Sequence, residues 1–246
     1  MNGFQKHGIG HLSATTINLF AAEPALFVAE KLLKRRGPVG CAAHRGTAAE
    51  AGIVRGLLNP DAPISECQEA GIAEFDRLAA LSAAPRRAKE REAVPAIVAT
   101  ALPELRQYGI PQTQVKIERT LSGVPVPWIG FIDLLFPDSG VLVDIKSQLR
   151  LSSEISTSHA RQVALYAHGT NYEARIAYCA PSKLGVYRLE DAPVHVAALV
   201  NIAQRMERFL ALGDAEFLAS IVVPDADSFY YSDATTRAIC REVYAL

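Results

Sequence analysis

The sequence predicts an α/β fold with a central mixed β-sheet flanked by helices. Helical periodicity dominates both ends of the chain, the apolar period changes near residue 113 from helical to alternating, and one further helical stretch separates the strand-like runs into two groups. Half of the 246 residues are hydrophobic, 21% are charged and 7% are aromatic. That balance suits a globule with a sizeable core and excludes both a disordered chain and a small domain dependent on disulfides or zinc. A formal net charge of -1 argues against a basic coat protein for nucleic acid, though an enzyme can still meet DNA in one local cleft. Residues 1–60 carry a basic excess and residues 187–246 an acidic one.

Ser13 can cap a first helix carrying Ile17, Leu19, Phe20, Leu26, Phe27, Leu32 and Leu33, divided or kinked at Pro24. Lys31, Lys34, Arg35 and Arg36 read as its solvated side, and Gly37 and Pro38 end it. A second helix is expected over 45–58, stopped by Asn59, Pro60 and Pro63, and a third over 63–81. The alanine-rich stretch 83–107 is helical in pattern, a pattern that Pro95 and Pro103 weaken. From Thr113, Val115 and Ile117 alternate with polar residues, which predicts a strand with one wet face. Ser122 and Gly123 supply a turn, 124–136 a second strand and 137–140 a hairpin turn into a third strand over 141–146. A helix over 160–168, strands over 174–179 and 186–189, and helices over 191–212 and 233–243 complete the order. No low-complexity linker divides the chain, so a single domain over 1–246 is expected, with 191–246 as a helical C-terminal extension.

Cys41, Cys67, Cys179 and Cys240 lie far apart and form no CxxC pair, so no zinc or iron–sulfur site is expected. No signal-like start and no uncharged apolar run of about 18 residues occurs, which gives the expectation of a cytoplasmic protein without membrane partners.

Chemistry concentrates in Gly130, Phe131, Ile132 and Asp133, followed by Val141, Leu142, Val143, Asp144, Ile145, Lys146 and Ser147. Asp144 and Lys146 are two apart on a strand and share one face, while Val143 and Ile145 face the packed side. A hairpin can bring Asp133 beside them. Unpaired charges in a buried sheet are costly, so this face suits either a cleft that holds a hard cation or a plain salt bridge at a strand end. Carboxylates select Mg²⁺, and a neighbouring lysine can hold a phosphate oxygen or orient a water, which is phosphodiester chemistry in outline.

In order along the chain, Arg45, Gly46 and Glu50 form an RGxxxE element, Gly130 and Asp133 a GxxD element, Asp144 and Lys146 a (D/E)xK element, and Gln162 and Tyr166 a QxxxY element. Together these resemble the PD-(D/E)XK nuclease superfamily, in particular phage exonucleases of the lambda type and RecB-like and Cas4-like nuclease domains. The resemblance covers roughly residues 12–190 and implies a restriction-endonuclease-like core. It makes Glu50, Asp133, Asp144 and the Ile145 backbone carbonyl the metal ligands and Lys146 the catalytic lysine. Gln162 and Tyr166, four apart on one helical face, are then placed on substrate or as braces of the metal centre. Ser147, Arg45 and Arg161 would contact phosphate, and His44 stands near a metal-associated histidine of RecB-like relatives. Two departures are visible: aspartate replaces the commoner glutamate at 144, and the cysteine pattern of the iron–sulfur relatives is absent.

The implied activity is a Mg²⁺-dependent DNA exonuclease, with Mn²⁺ as substitute, that digests duplex ends from 5′ to 3′ in recombination or end processing. An endonuclease, a Cas4-like processing nuclease and an inactive DNA-binding subunit are the alternatives. The resemblance also suggests a homo-oligomer, a single-strand annealing partner and a phage origin, with the host cytoplasm as location. Arg86, Arg87, Lys89, Arg91 and Arg150 are further candidates for DNA phosphates. Trp128 and Phe131 could stack at a DNA end, although core packing is the expected use of both.

Overall fold

The computed structural model describes residues 1–231 and 233–245. The chain opens with a short helix, α1 (Gly3–Lys6), closed by a capping box between Asn2 and Gln5. Helix α2 (Ala14–Ala22) starts where Ser13 Oγ accepts the Thr16 N–H at 3.1 Å. Pro24 divides the segment: it occupies the first turn of α3 (Pro24–Phe27), which continues as a π-helical turn over Val28–Leu32. Helix α4 spans Cys41–Leu58, one turn earlier than the sequence pattern suggested, and α5 spans Ile64–Leu78.

Helix α6 (Arg87–Leu105) is the helix expected over 83–107 and runs unbroken through Pro95 and Pro103. Each proline removes a backbone donor, but Val94, Ile97, Val98, Ala101, Leu102 and Leu105 are all fully buried. Their burial outweighs the local cost. The strands are β1 (Gln112–Arg119), β2 (Trp128–Phe136) and β3 (Val141–Ser147). β2 begins later than the expected residue 124 because Pro125 and Pro127 cannot donate to a ladder. Helix α7 (Thr157–Ala167), capped by Ser156, leads to β4 (Glu173–Ala180) and β5 (Lys183–Arg188). Helices α8 (Ala192–Ala211), α9 (Ala215–Ile221) and α10 (Ala234–Tyr244) follow, α9 and α10 capped by Asp214 and Asp233. The sequence pattern predicts neither α1 nor α9.

The sheet order is β1-β2-β3-β4-β5. β2 and β3 are antiparallel with Leu134 opposite Val143, β3 and β4 are parallel with Asp144 opposite Ile176, and β4 and β5 are antiparallel. The sheet is therefore mixed and flanked by helices, as the sequence predicts. α7 makes the crossover that parallel neighbours require.

The chain divides into two compact units. One comprises 39–116 and 131–192. Its core joins Ile53 and Leu57 of α4, Ile97 and Leu102 of α6, and Val143, Ile145, Ala177 and Cys179 of the sheet. α4 lies close to its neighbours through glycine: a Cβ at Gly52 would stand 2.6 Å from the Cys67 carbonyl oxygen, and one at Gly56 would stand 2.4 Å from Leu102 Cδ2. The other unit comprises 1–38, 117–130 and 193–246. There Leu12 bridges Trp128, the Gly3 N–H donates to Glu207 Oε1 at 2.9 Å, and Leu26, Tyr231 and Cys240 pack together. The acidic C-terminal segment thus packs with the N-terminal helices. Cys41, Cys67, Cys179 and Cys240 are buried free thiols, and burial pushes Cys179 up to about 12. No described helix is long and apolar enough to cross a membrane.

Candidate active site

The pleat of β3 separates two environments. Val141, Val143 and Ile145 enter the core beneath α4 and α6, so Asp144 and Lys146 emerge on the other face. Continuing the β2–β3 register from Leu134 and Val143 sets Asp133 opposite Asp144. Asp133 Oδ2 accepts the Ile145 N–H at 2.9 Å, which ties its carboxylate to the neighbouring strand. Lys146 Nζ lies 2.7 Å from Asp144 Oδ2. This is a close ion pair without hydrogen-bond alignment, and Asp144 Oδ1 has no hydrogen-bond partner among the described residues.

Glu50 of α4 joins these groups, close enough for its charge to act on both aspartates. Gln114 of β1 connects the set: its Nε2 donates to Glu50 Oε1 at 2.6 Å and to Asp133 Oδ1 at 3.3 Å. On α7, Gln162 Nε2 donates to Tyr166 Oη at 2.7 Å, and the Tyr166 hydroxyl also hydrogen-bonds the Phe131 main chain. Burial, then the charges of Asp144 and Asp133, hold the Tyr166 phenol above its usual range, which places it beside the carboxylates. Glu50, Asp133, Asp144, Lys146, Gln162 and Tyr166 therefore gather in one region of one unit, although they come from four elements.

Electrostatics follow from this crowding. Burial, then the charges of Asp144 and Glu50, raise Asp133 to about 8. Burial also raises Glu50 and Asp144, against the pull of Gln114 on the first and Lys146 on the second. Burial alone would lower Lys146, but Asp144, Asp133 and Glu50 outweigh it, so its ammonium form is favoured. His159, with Nδ1 2.7 Å from Tyr178 Oη, is driven down to about 4 by burial and by the Lys146 charge.

Arg45 is placed differently from a phosphate-facing residue. It is 7% exposed, its Nε donates to Ser147 Oγ at 3.2 Å, its Nη2 donates to the Ser147 carbonyl at 3.2 Å, and its Nη1 pairs with Glu90. Arg45 and Ser147 thus tie α4 to α6 and to the end of β3. Arg161 is half-buried on α7, and His44 is half-buried on α4. Arg91 pairs with Asp76, while Arg86, Lys89, Glu92, Ala93, Leu149, Arg150 and Pro181 line an open groove of about 700 Å³. Trp128 is fully buried as expected, but Phe131 is 49% exposed, because neighbours of opposite parity on β2 face opposite sides. Gln114 and Glu90 were not singled out by the sequence; a lone polar residue on a wet strand face and a glutamate in a charge run carry no local signal.

Carboxylate oxygens and an unpartnered buried Asp144 oxygen suit a hard divalent cation by their chemistry. Among the described residues, however, no three His, Cys, Asp or Glu side chains stand in a metal-holding arrangement. The donor types fit such a cation, and two of the three carboxylates are occupied by the Gln114 amide.

No curated protein matches the sequence. A solved structure, "Crystal structure of SSO0001", is similar at 14% identity over 81% of this chain and 94% of that one, with a TM-score of 0.38. A family model described as the PD-(D/E)XK nuclease superfamily matches residues 11–240, nearly the whole length over which the acids, the lysine and the flanking helices are distributed, and the chain belongs to that superfamily.

Proposed function

We propose that this chain is a Mg²⁺-dependent DNA exonuclease that hydrolyses duplex DNA from its ends, 5′ to 3′, in recombination or end processing. The observation that carries the proposal is the pair of buried Asp144 and half-buried Lys146 facing Asp133 and Glu50 within a nuclease-superfamily chain. Glu50, Asp133, Asp144 and the Ile145 carbonyl would hold the cation, which when bound lowers the pKa of a water and offsets charge on the scissile phosphate. Lys146, kept protonated by the surrounding acids, donates to a phosphate oxygen and stabilises the charge that grows as water adds to phosphorus and the bond to the leaving oxygen breaks. Gln162 and Tyr166 orient substrate from α7, and the buried Arg45 to Ser147 tie fixes the end of β3 beside it.

The groove formed with Arg86, Lys89 and Arg150 offers phosphate contacts without sequence readout. In this reading 1–246 is one nuclease domain with 191–246 as its helical extension. It acts in the cytoplasm, of the host if phage-encoded, as a homo-oligomer with a single-strand annealing partner, nearer to lambda-type exonucleases than to RecB-like or Cas4-like proteins. The test is digestion of duplexes labelled at each 5′ or 3′ end, with and without Mg²⁺ or Mn²⁺, beside closed circular DNA. Progressive, metal-dependent release from 5′ ends with circles left intact is expected. Rapid cutting of circles into discrete products would replace the exonuclease with an endonuclease.

A further inference from the structure

Gln114 is the least ordinary residue near the acids. Its φ is +50°, a left-handed backbone inside strand β1 that L side chains rarely adopt, at a position that is exposed. Non-glycine residues held in this region are strained, and such strain persists only where the surroundings impose it. What it accompanies here is specific. One amide nitrogen touches two carboxylates that belong to α4 and β2, at 2.6 and 3.3 Å. The cation of the cluster, Lys146, is already on Asp144, whose second oxygen lacks a partner. Glu50 and Asp133 therefore receive from Gln114 what a positive ion would otherwise supply, delivered by an uncharged group on a surface strand that can turn away into water.

Asp133 Oδ2 is already taken by the Ile145 N–H, so an ion shared by Asp133 and Glu50 meets Asp133 most readily through Oδ1, one of the two oxygens this nitrogen touches. Mg²⁺ sits about 2.0–2.1 Å from its oxygen ligands, so ion and amide cannot share the place.

We propose that Gln114 is a positioning residue that holds Glu50 and Asp133 in register in the metal-free enzyme and that a divalent cation must displace to bind. The proposal rests on the metal-dependent reading above. Mn²⁺ alone is the probe, titrated calorimetrically and by the electron paramagnetic resonance of the free ion into the wild type, Gln114→Ala, Gln114→Gly, Gln114→Glu and Asp144→Ala, beside metal-free thermal melts.

Gln114→Ala and Gln114→Gly should bind Mn²⁺ about tenfold tighter than the wild type, because the two hydrogen bonds from the amide to the carboxyl oxygens no longer compete. Gln114→Glu, of the same shape, should bind tighter again. Without metal, Gln114→Ala should melt below the wild type, and Gln114→Gly should recover part of that loss by relaxing the left-handed backbone. Unchanged or weaker Mn²⁺ binding in the folded Ala and Gly variants overturns the proposal while leaving the metal site standing. A wild type that binds no Mn²⁺, or an Asp144→Ala variant that binds it as the wild type does, overturns the metal reading itself.

Discussion

Two ion pairs in the same unit, each with a buried carboxylate, differ in how completely they are satisfied. In the first, Arg45 spends its donors on Glu90, Ser147 Oγ and the Ser147 carbonyl, and Glu90 also has Arg86 at 3.7 Å. In the second, Lys146 meets Asp144, but an Asp144 oxygen is left without a partner and two further carboxylates crowd the same space. The first closes on itself and joins three elements. The second crowds three carboxyl groups around one lysine, so burial and mutual repulsion hold back their ionisation. A buried charge pair is therefore informative by what remains unpaired around it, since pairing alone serves structure as readily as chemistry.

Deleting one member of each pair separates their roles. Lys146→Ala and Asp144→Ala should lower DNA hydrolysis by about 10²–10⁴-fold with the fold intact, measured as initial rates together with circular dichroism. Asp144→Asn should raise metal-free stability in urea, because a crowded, desolvated acid is removed. Loss of folding in these variants would make the second pair as structural as the first. Arg45→Ala should cost about 3–5 kcal/mol in urea unfolding, since it strands a buried Glu90; Arg45→Met with Glu90→Leu should recover most of that loss. If Arg45→Ala left stability unchanged, the tie between α4, α6 and β3 would be incidental.

A smaller effect is the pH dependence of stability without metal. Asp133 moves from 3.8 to about 8 on folding and His159 from 6.5 to about 4. Between about pH 4 and 6.5 the folded state holds a proton on Asp133 that the unfolded state lacks, while the unfolded state holds one on His159 that the folded state lacks. The two slopes oppose one another. From about pH 6.5 to 8 the falling slope from Asp133 remains, so the melting temperature should decline there, and Asp133→Asn should flatten the decline. A profile that stays sloped in Asp133→Asn would assign it to another group. Smallest is the groove: Lys89→Ala or Arg150→Ala should weaken DNA binding evenly across sequences and reduce the salt slope by about 1 each, measured by fluorescence anisotropy.

The helical ends and the change to alternation near residue 113 are local periodicities, and α2, α7, β1 and β3 fall close to where the pattern sets them. The same arithmetic puts Asp144 and Lys146 on one face, Asp133 across a hairpin, and Gln162 beside Tyr166, and these neighbours are in contact or close to it. Pro95 and Pro103 weaken the helical pattern only locally, while the buried residues of α6 gain from partners distant in sequence. Phe131 and Trp128 look alike as aromatic strand residues; one is exposed and the other buried, which parity along β2 could have separated.

By itself the sequence determined the α/β class, the order of elements and the spacing that presents acids and a lysine from one side of a hairpin, because period and chirality dictate which neighbours share a face. Tertiary structure alone decided that Arg45 turns inward to Glu90, that Glu50 of α4 reaches the aspartates of β2 and β3, and that Gln114 adopts a left-handed backbone to bridge two of the three carboxylates. Those outcomes depend on which charges packing leaves unpaired, and that is settled by contacts between segments whose separation along the chain carries no trace of their meeting.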